Sequence, residues 1–312
     1  MSLLSPILLI GGAGFIGAQL VPELLKRGRA VTVLGRRAVP EFALPAEATY
    51  QRGDFMDTAL IGSLLEKHGE VVHLANATVP NTSSAEPLAD LMQNLPPAVQ
   101  LFAACAQQGA RLLLLSSGGT VYGQALTLPM DERHPTRPIS PYGVTKLTLE
   151  NYANLYAATH GLRHVCVRPA NAYGVGQRAF TGQGFVSTAV ASAMRGLPIK
   201  IFGQHGAVRD YLYITDLVAG IADAIEHGVD GETYNIGSGI GLSNRDVTDM
   251  MGPLLGDLGV RMTVEHLPAR IQDVRSNVLD ASKLRAATGW RPSVGFEEGL
   301  RRTITSLKHL HV

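Results

Sequence analysis

A chain of 312 residues with 46% hydrophobic content can bury a large core, removing roughly three-quarters of its unfolded surface from water. A net charge of +1, with no basic stripe and no aromatic-basic patch, argues against a nucleic-acid partner. No apolar run reaches membrane-spanning length and the N-terminus lacks the basic region of a signal peptide, so a cytoplasmic protein with no membrane partner is expected.

Pro6-Ile7-Leu8-Leu9-Ile10 reads as a fully buried strand of a parallel sheet. It runs into Gly11-Gly12-Ala13-Gly14-Phe15-Ile16-Gly17, after which Phe15, Ile16, Leu20, Val21, Leu24 and Leu25 recur at helical spacing up to a stop at Gly28. In such a strand–turn–helix, Gly11 permits the tight turn and Gly14 lets the backbone approach a pyrophosphate. Gly17 allows close helix–strand packing, with the phosphates at the helix N-terminus. Further strands are expected at Ala30–Leu34, Val71–Ala75, Arg111–Leu115 and His164–Arg168. Helical stretches lie between them, including Thr58–His68 and Leu88–Gln107. This alternation implies an α/β fold with a Rossmann-type doubly wound parallel sheet and ligands at the carboxyl ends of its strands. Beyond Pro169 the pattern loosens, and Gly174, Gly176, Gly182 and Gly184 suggest loops shaping a pocket in a smaller substrate domain. The ten histidines show no metal-ligand spacing, and Cys105 and Cys166 sit where core residues would.

Tyr142-Gly143-Val144-Thr145-Lys146 places a phenol and an ammonium one helical turn apart. A free phenol has a pKa near 10 and is a poor base at pH 7. A nearby ammonium and an oxidised nicotinamide ring both favour the phenolate, so Tyr142 is expected to be tuned toward neutrality. With the glycine turn upstream, the pair points to hydride chemistry on an alcohol or ketone.

Many ordered matches extend these two motifs: Gly53-Asp54, His73-Leu74-Ala75, Asn94, Ser116-Ser117, Thr120-Val121-Tyr122-Gly123, Arg168-Pro169, Asn171-Ala172-Tyr173-Gly174, Val208-Arg209-Asp210-Tyr211, Tyr234-Asn235-Ile236-Gly237, and Arg270 with Asp273. On these residues the chain resembles an extended short-chain dehydrogenase/reductase. Within that group it is most similar to the nucleotide-sugar epimerases of the UDP-glucose 4-epimerase type. The resemblance implies that Tyr142 and Lys146 are catalytic, with Thr120 assisting. It implies a dinucleotide held by Gly11, Gly14, Phe15, Ile16, Gly17, Arg36, Arg37, Asp54, Phe55, Leu74, Ala75, Asn94, Ser116, Ser117, Tyr142, Lys146 and Pro169. Asn171, Arg209, Arg270 and Asp273 would face the sugar nucleotide, arginine being suited to phosphate by its planar fork. Residues 1–169 plus about 207–237 would form the nucleotide domain, and 170–206 with 238–312 the substrate domain.

Two departures stand out. Gly35, in Leu34-Gly35-Arg36-Arg37, occupies the position where NAD-specific relatives carry an acid for the adenosine ribose; the arginines suit the 2′-phosphate of NADP. NAD is the expected cofactor, with NADP as the alternative. Gly118 stands where relatives often carry a hydroxyl that bonds the reacting oxygen, so Gly118→Ser is expected to raise kcat on UDP-galactose. The same stretch, Ser116-Ser117-Gly118-Gly119-Thr120, lacks the acids that dehydrating and decarboxylating relatives need. The expected function is therefore a nucleotide-sugar 4-epimerase acting on UDP-glucose/UDP-galactose or a close analogue. The alternatives are an NADPH-dependent keto-sugar-nucleotide reductase and a non-catalytic NAD(P)-sensing protein. A homodimer through helices 88–107 and 142–159 is expected, with Leu91, Leu95, Val99, Phe102, Leu149, Tyr152 and Tyr156 as its apolar residues.

Overall fold

Ile7, Leu8, Leu9 and Ile10 are 0–1% exposed, because alternate side chains of a central strand enter cores on opposite faces of one sheet. Ile7 and Leu9 join one core cluster; Leu8 and Ile10 join the other. The computed structural model describes residues 4–78, 80–269 and 274–308. In chain order the first half comprises β1 (Ile7–Ile10), α1 (Phe15–Lys26), β2 (Val31–Gly35), β3 (Thr49–Arg52), α2 (Thr58–Leu65), β4 (Glu70–His73), α3 (Pro80–Ala85), α4 (Pro87–Gln108), β5 (Arg111–Leu115), α5 (Pro141–His160) and β6 (His164–Pro169). The second half comprises β7 (Asn171–Tyr173), α6 (Phe185–Met194), β8 (Ile199–Phe202), β9 (Val208–Tyr213), α7 (Ile214–His227), β10 (Thr233–Ile236), β11 (Gly241–Ser243), α8 (Asn244–Gly256), β12 (Val264–Leu267), β13 (Ser276–Asn277), α9 (Ser282–Thr288) and α10 (Phe296–Lys308).

Seven parallel strands in the order β10-β6-β5-β4-β1-β2-β3 form a Rossmann-type sheet. The strand order reverses between β1 and β4, the switch point at which such sheets bind ligands. β3 has no counterpart among the expected strands. Its sequence, Thr-Tyr-Gln-Arg, is a polar edge strand with no apolar run to mark it. α7 packs on α1, and β10 then pairs with β6, completing the large sheet. β9 lies elsewhere: it pairs with β7, β11 and β13 in a smaller sheet, while β8 pairs with β12. The return crossing thus begins at α7 and not at about residue 207.

The buried Asp210 ties β9 to the end of β10. It accepts from the Ser238 amide and hydroxyl, at 2.9 and 2.5 Å, and from the amides of Gly239 and Leu279, at 3.1 and 3.2 Å. Cys105 and Cys166 are buried free thiols in the core.

Among the described residues no helix is long and apolar enough to cross a membrane. Of the expected dimer residues, Phe102 and Leu149 are buried within the chain's own core, and Leu95, Tyr152 and Tyr156 pack against it. Apolar surface does remain on α4, where Leu88, Leu91 and Met92 are exposed, and on α5 at Leu155.

Candidate active site

A cleft of about 450 Å³ opens over the carboxyl ends of β1, β2 and β4, walled by the Gly11–Gly17 turn on one side and Leu74–Thr78 on the other. Gly11 has φ +82°, and a Cβ there would lie 2.6 Å from the amide nitrogen of Ala75. A Cβ on Gly17 would come within 2.4 Å of Gly12 Cα, so only glycine lets α1 start this close to the turn. Gly14 is the N-cap of α1 and puts no side chain on the first helical amides, which suits them to a phosphate. The residues present therefore fit a dinucleotide. Gly11, Gly14, Phe15, Ile16, Gly17, Arg36, Asp54, Phe55, Leu74, Ala75, Tyr142 and Lys146 all line this cleft.

Tyr50 accounts for Gly35. Its hydroxyl donates to the Arg37 carbonyl at 2.8 Å, and a Cβ on residue 35 would lie 2.6 Å from that hydroxyl. Any side chain at position 35 would have to displace the Tyr50 ring from this place. Arg36 faces the cleft, whereas Arg37 pairs with Glu41 at 2.9 Å, and Glu41 in turn pairs with Arg178 at 2.8 Å. Arg37 is thus drawn away from the cleft by its own ion pair.

A second cleft, of about 390 Å³, shares Phe15, Ile16, Leu115, Tyr142 and Gln183 with the first. Tyr142 stands where the two meet. Pro141 starts α5 and the Ser140 hydroxyl caps it, accepting the Gly143 amide at 3.2 Å, so Tyr142 falls in the first turn with Lys146 one turn on. The Lys146 ammonium donates to the Leu115 carbonyl at 3.0 Å and lies 5.7 Å from the Tyr142 ring centre. Burial lowers the Lys146 pKa to about 8. Burial also pushes the Tyr142 phenol well above its ordinary range, and the Asp90 carboxyl adds to that rise.

The second cleft collects Thr120, Asn171 and Arg209, together with Ser116, Ser117 and Pro169, which had been expected on the cofactor side. The Ser116 hydroxyl turns back to donate to Glu150, which forms a buried pair with Arg168 at 2.6 Å. Asn94 lines neither cleft; its Oδ1 accepts the Ala77 amide at 2.8 Å and so holds the cofactor-side loop from behind. Arg270 and Asp273 lie outside the described residues. Among the described residues Thr120 Oγ1, Asn171 Oδ1 and Tyr211 Oη are buried without hydrogen-bond partners, as groups awaiting a polar ligand would be. Sequence reasoning missed Tyr211, Gln177, Gln183 and Phe185 in this cleft. Tyr211 lay in the matched stretch Val208-Arg209-Asp210-Tyr211 without being singled out, and the signal for the others was the run of glycines around Gln183, which had suggested a pocket without naming its walls.

Gly118 corrects an expectation. A Cβ there would sit 2.4 Å from Leu279 Cδ1 and about 3 Å from the carbonyls of Arg168 and Pro169, and residue 118 does not line the cleft. Its φ is not in the left-handed region, so the glycine is there for room. Gly118→Ser is now expected to lower stability by about 1–3 kcal/mol through overpacking, without raising kcat. Thermal unfolding and turnover of that variant check it; a faster enzyme with an unchanged Tm would restore the missing-donor account.

The profile of the NAD dependent epimerase/dehydratase family matches residues 7–237. A UDP-glucose 4-epimerase of Mycolicibacterium smegmatis is 32% identical over 305 residues, covering 95% of this chain and 96% of that one. A dTDP-glucose 4,6-dehydratase of Streptomyces antibioticus is 33% identical, covering 96% of this chain and 91% of its own. The UDP-glucose 4-epimerase of Thermotoga maritima, solved with UDP-glucose, superposes with a TM-score of 0.91 at 31% identity, covering 98% and 99% of the two chains. With its glycine turn, switch-point cleft and Tyr142–Lys146 pair in place, the chain belongs to the NAD-dependent epimerase/dehydratase family.

Proposed function

We propose that the protein is a nucleotide-sugar 4-epimerase acting on UDP-glucose and UDP-galactose or a close analogue. The observation that carries this is the chemistry of the second cleft. Among the described residues no aspartate or glutamate lines it, and Arg209 is its one charged side chain. A 4,6-dehydratase must protonate a leaving hydroxyl and remove a carbon-bound proton, and such work is done by carboxyl groups. A 4-epimerase needs a single acid–base group at the hydroxyl carbon, and Tyr142 is that group here.

The dinucleotide supplies the reversible hydride acceptor. Tyr142 takes the proton of the sugar 4-hydroxyl as the 4-ketone forms, and returns it after the sugar has turned about its pyrophosphate linkage. Lys146 holds positive charge beside the phenol and faces the cofactor cleft, where the ribose hydroxyls would lie. Thr120 and Asn171 offer their unpartnered polar atoms to the sugar, and Arg209 serves the pyrophosphate. Arg270 and Asp273 complete the nucleotide contacts in this reading.

Denaturing the purified protein and weighing the released cofactor tests the proposal. Tightly held NAD, with UDP-glucose and UDP-galactose interconverting without added cofactor, is the expected result. Exchangeable NADPH consumed stoichiometrically by a keto-sugar nucleotide would favour a reductase, the reading that Arg36 in the cofactor cleft supports. We also propose a homodimer seated on the exposed apolar residues of α4 and α5, Leu88, Leu91, Met92 and Leu155. Light scattering at micromolar concentration should give twice the chain mass; a monomer mass would reject the pairing.

A further inference from the structure

A buried carboxyl lies behind the Tyr142–Lys146 pair. Asp90, in the first turn of α4, is 0% exposed, and among the described residues it forms no ion pair. Its Oδ1 accepts from the Thr78 hydroxyl and from Asn94 Nδ2 at 3.3 Å; its Oδ2 accepts from the Thr145 hydroxyl at 2.5 Å. The Thr78 hydroxyl itself accepts from Asn76 and Asn94 at 3.2 and 3.4 Å, which turns its proton toward Asp90. Both of its carboxyl oxygens are thus engaged by polar side chains. Thr145 stands on α5 between Tyr142 and Lys146, so the carboxylate is bonded to the turn that joins them.

We propose that Asp90 is a positioning residue of the proton-transfer site, its buried negative charge opposing loss of the Tyr142 proton while its bond to Thr145 fixes the turn carrying the pair. The inference rests on Tyr142 being the acid–base group. Asp90 bears on Tyr142 from α4, and Lys146 bears on it from one turn along α5. Lys146 is itself faced by Asp90, by Glu150 on its own helix, by Cys166 on β6 and by His73 on β4. Glu150 is neutralised by Arg168 at 2.6 Å, whereas among the described residues the donors to Asp90 are uncharged. Asp90 is therefore the acid of this cluster that has no basic partner among the described residues. It helps a buried ammonium keep its proton, and it makes ionisation of the phenol conditional on a further positive charge in the cleft, which an oxidised nicotinamide ring carries.

Two near-isosteric variants separate charge from geometry. Asp90→Asn removes the charge and keeps the shape; Thr145→Val cuts the bond and keeps the charge. The readout is carbon NMR of tyrosine labelled at the phenolic carbon, in protein loaded with oxidised dinucleotide and without sugar, with Tyr142→Phe identifying the resonance. In Asp90→Asn the Tyr142 titration should move down by on the order of one pH unit, the size expected of one buried charge. In Thr145→Val it should stay within a few tenths. Equal phenolate fractions in wild type and Asp90→Asn at every pH would overturn the proposal, as would equal shifts in both variants. Should Asp90→Asn fail to fold, Asp90→Thr removes the same charge with a smaller side chain. No substrate enters the titration, so failure to turn over UDP-sugars would count against the epimerase reading and leave this result intact.

Discussion

Tyr142→Phe should lower kcat by at least ~10²-fold while leaving the fold and dinucleotide binding unchanged, the low end for loss of a general acid–base group. The substitution removes one oxygen at the junction of the two clefts and preserves the ring beside Lys146. Among the described residues lining the second cleft no carboxylate and no histidine stands ready to replace it. The loss should fall on kcat and kcat/KM alike, since proton transfer belongs to the transition state and not to ground-state binding. Steady-state kinetics on UDP-galactose, with cofactor content measured in parallel, checks this. Turnover within a few-fold of wild type would remove Tyr142 from the chemistry.

Arg168→Leu is the second large expected effect, this time on stability. The Arg168 guanidinium donates to Glu150 at 2.6 Å and to the Tyr122 hydroxyl at 3.0 Å, and stacks 4.9 Å from the Tyr122 ring centre. Both members of the ion pair are under 10% exposed. Removing the arginine strands the Glu150 carboxylate in the core, where the Ser116 hydroxyl still donates to it. Breaking such a pair costs about 3–5 kcal/mol, far more than the pair contributes relative to apolar replacements. Thermal unfolding should show a drop on the order of 10 °C. The double variant Arg168→Leu with Glu150→Met should recover most of it, because no charge is then left behind. A single variant as stable as wild type would show that water reaches Glu150.

The parts of this architecture written as local patterns were legible in the sequence. Ile7–Ile10 and Arg111–Leu115 announce central strands because both faces of the sheet are covered. Gly11 and Gly17 announce a cofactor turn because their missing side chains leave space that backbone needs. Tyr142 and Lys146 were legible because one helical turn suffices to bring them together. What was hidden depends on distant parts of the chain. β3 is polar because it is an edge, and so resembles a loop. The reason for Gly118 is Leu279, more than a hundred and fifty residues away and placed there by the fold alone. Tyr211 enters the sugar cleft only because β9 pairs with β7 in the small sheet. Asp90 reads as an ordinary solvated acid in a helix's first turn until Thr78 and Thr145 close over it.

The most direct measurement is proton NMR of the reaction with UDP-galactose in deuterium oxide. Direct return of a hydride to the opposite face of a 4-ketone should yield an equilibrium mixture of the two 4-epimers with no solvent deuterium on any sugar carbon. Deuterium at carbon 5 with loss of water would place acid–base chemistry where the described residues of this cleft offer no carboxylate, and would contradict the assignment of the protein as a 4-epimerase.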